Sequence, residues 1–259
     1  MGLLSSLRAR RGQDDVLVSE RDGVRTLHLG SDTVQSAMRV CAPYHLELSY
    51  TRAMMGFLLF HPDPRRVLMV GLGGGSLAKY VWHTFPRARV AVVECNPRVV
   101  AVARAQFHVP ADDARFTVIV GDGAAHVRSP GPCCDVLMVD AYDARSQVES
   151  LATEDFYADC RRALQPGGVL VVNLWSSDGR FDAFLQRVER AFDGRVLCLP
   201  AERRGNVAVF AFEGKVAPTR WDLLRARARE LEPATGLELQ KFVGRLAEMN
   251  PHGEHRLLL

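Results

Sequence analysis

Glu94, Asp122 and Asp140 each stand at or just beyond the end of a short apolar run, and Asp143 follows Asp140 by three residues. Carboxylates so placed can accept hydrogen bonds from a ligand's hydroxyl and amino groups, or take a proton during a reaction. Asp140 and Asp143 are the pair suited to proton chemistry. One can hold a cationic substrate while the other receives a proton from a nucleophile, a division of labour set by their separate pKa environments. The competing reading is structural: this pair would only cap a loop, and Asp122 would only cap a helix, a position that Asp favours.

Upstream, Val67-Leu68-Met69-Val70 runs straight into Gly71-Leu72-Gly73-Gly74-Gly75-Ser76, and a helix is expected from Leu77. Gly71, Gly73 and Gly75 permit φ > 0 and let a ligand approach the backbone with no Cβ in the way. Alone, such a loop is weak evidence, because a tight strand-to-helix turn without a ligand is the competing reading. Glu94 makes the pattern specific, because an acid about 20 residues beyond the loop, ending the next strand, can accept from both hydroxyls of a ribose. Asp122, followed by Gly123 at the end of the third strand, can accept from an adenine amino group. The spacing G-x-G-G-G-S puts Ser76 where the dinucleotide fingerprint G-x-G-x-x-G has its third glycine, which favours an adenosyl sulfonium compound over a dinucleotide.

Three regions must position these residues. Residues 1–50 carry short β-like runs, Val16 to Val18 and Val24 to Leu29, separated by turn formers at Asp22-Gly23, and predict a small antiparallel sheet. Residues 51–215 alternate strand and helix, with strands expected at Val67 to Val70, Arg89 to Val93, Phe116 to Val120, Val136 to Val139 and Val169 to Asn173. That order predicts a Rossmann-like α/β domain with a parallel sheet covered on both faces, closed by antiparallel strands near Arg195 to Leu199 and Val207 to Phe212. Residues 216–259 predict a C-terminal helical extension.

The bulk properties exclude several classes. At 47% hydrophobic and 24% charged residues the chain has an ordinary globular composition, long enough to bury a core without staples. The net charge of +3 and the basic runs at Arg8 to Arg11 and Arg220 to Arg229 read as solvated faces, so no nucleic-acid partner is expected. Six cysteines include no C-x-x-C pair and no cluster at metal-ligand spacing; they are expected to be reduced, mostly buried thiols, and no metal is expected. No apolar stretch approaches the roughly 20 residues of a membrane span, and Met1 to Arg11 lacks the order of a signal peptide. A cytoplasmic protein is the expectation.

Gln35 in Asp32-Thr33-Val34-Gln35, Tyr50, the Gly71 to Ser76 loop, Glu94, Gly121-Asp122-Gly123, Asp140-Ala141-Tyr142-Asp143, Thr153-Glu154-Asp155-Phe156-Tyr157 and Leu164-Gln165-Pro166-Gly167-Gly168 together resemble the spermidine synthase family of aminopropyltransferases. The resemblance runs from Thr26 to Phe212. It implies a small N-terminal β-domain before a methyltransferase-type Rossmann-like sheet. It also implies decarboxylated S-adenosylmethionine as donor, a small-molecule amine as acceptor, methylthioadenosine as product, and a homodimer. Carried over residue by residue, Asp140 is the base, Asp143 holds the amine, Glu94 binds the ribose and Asp122 the adenine. Gln35, Gly71, Gly73, Gly75 and Gly123 then belong to the donor site, and Tyr50, Arg52 and Tyr142 to the acceptor site.

Five positions depart from the family's pattern. Gly74 stands in place of an aspartate that would bind the donor's ammonium, Thr51-Arg52 in place of His-Glu, Tyr142 in place of a small serine, and Ala144 in place of a proline. Alkyl amines are protonated at neutral pH, with a pKa near that of Lys at about 10.4. Exchanging an acid for Arg52 therefore weakens attraction for a dicationic acceptor. The sequence predicts poor turnover of putrescine and leaves two further readings, methyl transfer from S-adenosylmethionine and a non-catalytic nucleoside-binding protein.

Overall fold

The computed structural model describes residues 16–31, 33–128, 131–140, 148–202, 205–216 and 219–259. Strands β1 (Val16–Arg21), β2 (Val24–Leu29) and β3 (Val34–Arg39) form an antiparallel three-stranded sheet. Asp22 and Gly23, with φ of 52° and 73°, make the two-residue turn between β1 and β2 that right-twisted hairpins require. The sequence reading did not identify β3. Ser36, Ala37 and Met38 are buried in succession there, so the strand shows no alternation by which to recognise it.

After helix α1 (Ser49–Met54) and a 3-10 turn, the chain enters a seven-stranded sheet. Its strands are β4 (Arg66–Val70), β5 (Arg89–Glu94), β6 (Phe116–Val120), β7 (Cys134–Val139), β8 (Leu164–Trp175), β9 (Val196–Pro200) and β10 (Asn206–Phe212), in the order β6-β5-β4-β7-β8-β10-β9. The first five are parallel, and β10 is antiparallel to both its neighbours. Helices α2 (Ser76–Thr84), α3 (Pro97–Gln106), α4 (Gly123–Val127), α5 (Glu154–Ala163) and α6 (Phe181–Ala191) make the crossovers. Strand β7 is buried along its whole length, as expected of a strand with helices on both faces. The order reverses between β4 and β7, the point where α/β sheets open a crevice at the carboxyl ends of their strands.

Helix boundaries follow local chemistry. Asn96 caps α3 by accepting from the Arg98 amide at 2.9 Å, with Pro97 as the first helical residue. Thr153 caps α5 at Phe156 N, and the helix places Glu154 and Asp155 in its first turn and Arg161 and Arg162 in its last, complementing its dipole.

The C-terminal helices α7 (Trp221–Thr235) and α8 (Leu239–Leu246) pack into the main core. Leu239, Phe242, Val243 and Leu246 recur at i, i+3, i+4 and i+7 and are all buried. Beyond α8, buried Asn250 accepts from the Cys198 amide and donates to the Cys198 carbonyl, both at 2.7 Å, on the outer side of edge strand β9. On the opposite flank, Lys79 of α2 is fully buried, donating to the Phe107 carbonyl and lying 3.2 Å from Met38 Sδ where the small sheet meets the large domain. Burial lowers its pKa to about 8. Half of the cysteines depart from expectation: Cys134, Cys160 and Cys198 are buried, but Cys41, Cys95 and Cys133 are exposed. Among the described residues no helix is long and apolar enough to cross a membrane.

Candidate active site

The loop after β4 turns through left-handed backbone at Gly71, Gly73 and Gly75, with φ of 95°, 53° and 70°. At Gly75 space is limiting as well, since a Cβ would sit 2.4 Å from Val109 Cγ2. Glu94, at the end of β5, is nearly buried and clamps the loop: Oε2 accepts from Leu72 N and Oε1 from Asn96 N, each at 2.9 Å. Cys95 Sγ also approaches Oε1 at 3.6 Å, whereas Oε2 keeps a second lone pair with which to accept a hydroxyl from a ligand in the cavity.

Asp122 caps α4 through Ala125 N at 3.1 Å while lining the same cavity. The capping and ligand-binding readings are therefore compatible. Gly123 beside it is held to glycine by packing, because a Cβ would lie 2.4 Å from Val70 Cγ1.

Asp140 emerges from β7 with its amide donating to the Val70 carbonyl. Its Oδ2 faces the Tyr50 hydroxyl at 3.1 Å, and its Oδ1 accepts from Asn173 Nδ2 at 3.0 Å. Tyr50 Oη also lies 3.2 Å from the Gln35 carbonyl, which links α1, β3 and β7 at one point. Desolvation raises the Asp140 pKa above the ordinary carboxylate range, against the opposing pull of the Asn173 and Tyr50 hydrogen bonds. A carboxylate so placed is a stronger proton acceptor than one in water.

These groups share one cavity of about 860 Å³, the size of a small-molecule site. Gln35, Tyr50, Gly71, Gly73, Glu94, Asp122, Gly123 and Asp140 all line it. Gly75 shapes the turn beneath it. Asp143, Tyr142 and Ala144 lie outside the described residues. The sequence reading missed Leu29 and Ser36, contributed by the small sheet, and Arg98 at the start of α3. It also missed Asn173, although a lone amide in the apolar run Val169 to Leu174 was a visible signal.

Arg52 does not join the cavity wall, contrary to its expected place in the acceptor site. Its Nε lies 3.0 Å from Glu238 Oε1 at the head of α8, and its Nη2 lies 3.5 Å from Glu202 Oε2. Two carboxylates thus offset the charge that the sequence reading treated as repulsive. Gly74 has no left-handed backbone, yet a Cβ there would meet Phe107 Cδ1 and Ser36 Oγ at 2.9 Å each. The wall next to it carries the hydroxyls of Ser36 and Ser76, 3.3 Å apart. Among the described residues there is no cluster of three or more His, Cys, Asp or Glu able to hold a metal.

Comparison with known proteins agrees with this architecture. Residues 47–193 match the spermine/spermidine synthase domain. A polyamine aminopropyltransferase of Chromobacterium violaceum is 46% identical over 245 residues, covering 95% of this chain and 94% of that protein. Among solved structures, a probable spermidine synthase from Corynebacterium glutamicum superimposes with a TM-score of 0.71 over 89% of this chain and 91% of that one, at 21% identity. Human methyltransferase-like protein 13 in complex with SAH follows at 0.62, with 26% identity over 71% and 89%. With the family's domain spanning more than half of its length and a relative matched almost end to end, this chain belongs to the spermine/spermidine synthase family.

Proposed function

We propose that the protein transfers an aminopropyl group from decarboxylated S-adenosylmethionine to a small amine and releases methylthioadenosine. The observation that carries this reading is the convergence of Glu94, Asp122 and Asp140 on one cavity, from three strand ends. Glu94 receives the ribose hydroxyls, Asp122 the adenine amino group, and Asp140 stands at the reacting end. The amine nitrogen attacks the carbon next to the sulfonium, a C–N bond forms, and the C–S pair returns to sulfur to leave a neutral thioether. The nitrogen's proton passes to Asp140. Because the sulfonium is already an activated leaving group, in-line positioning supplies much of the rate. The name of the Chromobacterium violaceum relative supports aminopropyl chemistry, and the SAH complex of the human neighbour supports an adenosyl ligand in this fold.

Methyl transfer from S-adenosylmethionine is the second reading, and one observation favours it. Beside Gly73 and Gly74 the described wall holds the hydroxyls of Ser36 and Ser76 rather than a carboxylate. That wall suits an amino-acid tail carrying its own negative charge better than a bare propylammonium. Product analysis with each donor and a panel of amines separates the two. Methylthioadenosine and an aminopropylated amine are expected; S-adenosylhomocysteine and a methylated product would replace the first reading with the second.

A further inference from the structure

Asn206 opens β10 and donates from Nδ2 to Asn173 Oδ1 at 3.1 Å, while Asn173 donates onward from Nδ2 to Asp140 Oδ1 at 3.0 Å. One line of hydrogen bonds thus crosses three adjacent strands at the carboxyl edge of the sheet. Asn173 is only 4% exposed, and burying an amide there costs free energy unless its oxygen and its N–H groups find partners. A primary amide can present either its oxygen or its NH2 to a neighbour. Facing a carboxylate, the two choices have opposite signs. Asn206 favours one of them by donating to the oxygen, which turns the NH2 toward Asp140.

We propose that Asn206 is a positioning residue for the base: by donating to Asn173 it sets which end of that buried amide meets Asp140, and so holds Asp140 ionised and aimed into the cavity. The inference rests on the reading of Asp140 as proton acceptor. Removing the Asn173 donation would leave desolvation less opposed and shift Asp140 toward its neutral form. Among the described residues, few other charges surround Asp140. Tyr50 faces it from α1, β4 contributes the Val70 carbonyl, and Glu94 and Asp122 line the same cavity from β5 and from the end of β6. Arg52, two residues past Tyr50, is engaged by Glu202 and Glu238.

The test compares Asn206→Asp with Asn206→Gln. The first replaces a donor by an acceptor and should turn the Asn173 amide over, so that its oxygen faces Asp140; the second keeps an NH2. For Asn206→Asp we expect the acid limb of the kcat/KM profile for aminopropyl transfer to move up by about one pH unit or more. Below the moved limb kcat should fall and should recover as the pH is raised past it, with methylthioadenosine affinity and melting temperature near those of the native protein. Asn206→Gln should retain the native acid limb. Carbon-13 NMR titration of the Asp140 carboxyl gives a readout independent of turnover, and the Asn206→Asp resonance should titrate higher than the native one. An unmoved Asp140 titration in folded Asn206→Asp overturns the inference. If the native protein shows no aminopropyl transfer yet the titration moves, the proposed function fails while the relay stands.

Discussion

Tyr50 Oη and Asp140 Oδ2 lie 3.1 Å apart, joining the first helix to the end of the central strand β7 through one short contact. The phenol opposes the desolvation that raises the Asp140 pKa, so the carboxylate is both buried and available as a base. Asp140→Asn should abolish most turnover, leaving methylthioadenosine binding within about threefold of native, because the amide keeps the shape but takes no proton. It should also melt higher than the native protein near neutral pH. A raised folded-state pKa means that the native protein loses stability as pH rises through the window between the ordinary carboxylate value and the raised one. The variant lacks that loss. Melting curves from pH 4 to 8 should therefore show a gap that opens with pH, and retained kcat would leave Asp140 a structural role only.

Glu94 has two tasks, so its substitutions should separate. Glu94→Ala removes the acceptor for Leu72 N and Asn96 N as well as any ribose contact, and should cost about 1–3 kcal/mol of stability besides at least tenfold in methylthioadenosine affinity. Glu94→Gln keeps one carbonyl oxygen and should lose affinity with a smaller loss of stability. Calorimetric titration with parallel denaturant melts measures both. Unchanged affinity in either variant would remove the ribose assignment.

Restoring the family's acids should fail as a route to better putrescine turnover. In Gly74→Asp the new Cβ meets Phe107 and Ser36 at 2.9 Å, and overpacking of this kind costs about 1–3 kcal/mol. Arg52→Glu would set a third carboxylate beside Glu202 and Glu238, exchanging attraction for repulsion in a partly exposed cluster and lowering stability by about 1 kcal/mol. Both effects are read from urea midpoints alongside aminopropyl transfer to putrescine. A rate gain of tenfold or more in Gly74→Asp, at native stability, would show that the loop yields and that the missing acid was limiting.

Lys79 should make stability climb in mild alkali. Its folded pKa is about 8 against an ordinary 10.5, so the unfolded chain binds the extra proton between those values and stability rises with pH across that window. Lys79→Met fills the same space without charge. It should be more stable than the native protein by about 1–3 kcal/mol at pH 7, with the difference shrinking above pH 8. Parallel slopes for the two proteins between pH 7 and 10 would show that Lys79 keeps its proton when folded.

Much of this architecture was legible because strand and helix periodicities differ and because acids at strand ends stand out from apolar runs. The strands flanking Glu94 and Asp140 fall within a few residues of their expected positions. Strand β3 was not legible, since its buried residues are consecutive and its amphipathic signal is lost. The orientation of Arg52 was beyond reach for a different reason. Its partners, Glu202 and Glu238, are 150 and 186 residues away in sequence, and only the fold that brings the end of β9 and the head of α8 to α1 reveals them. Gly74 shows the same limit: its glycine reads as a missing acid until Ser36 of the small sheet is seen filling the space.

The contact between Asn250 and Cys198 also has a meaning for synthesis. In the finished protein the side-chain amide occupies the outward N–H and C=O of the last strand, so that position presents nothing for a second chain to pair with. The two residues are 52 positions apart, however, and a ribosome adding about 5–20 residues per second needs roughly 3–10 s to go from one to the other. For that interval the seam at Cys198 stands open on a nascent sheet. The segment after α8 thus covers the edge of β9 only once it has itself been made, so forming the sheet and closing its edge are separate events in time.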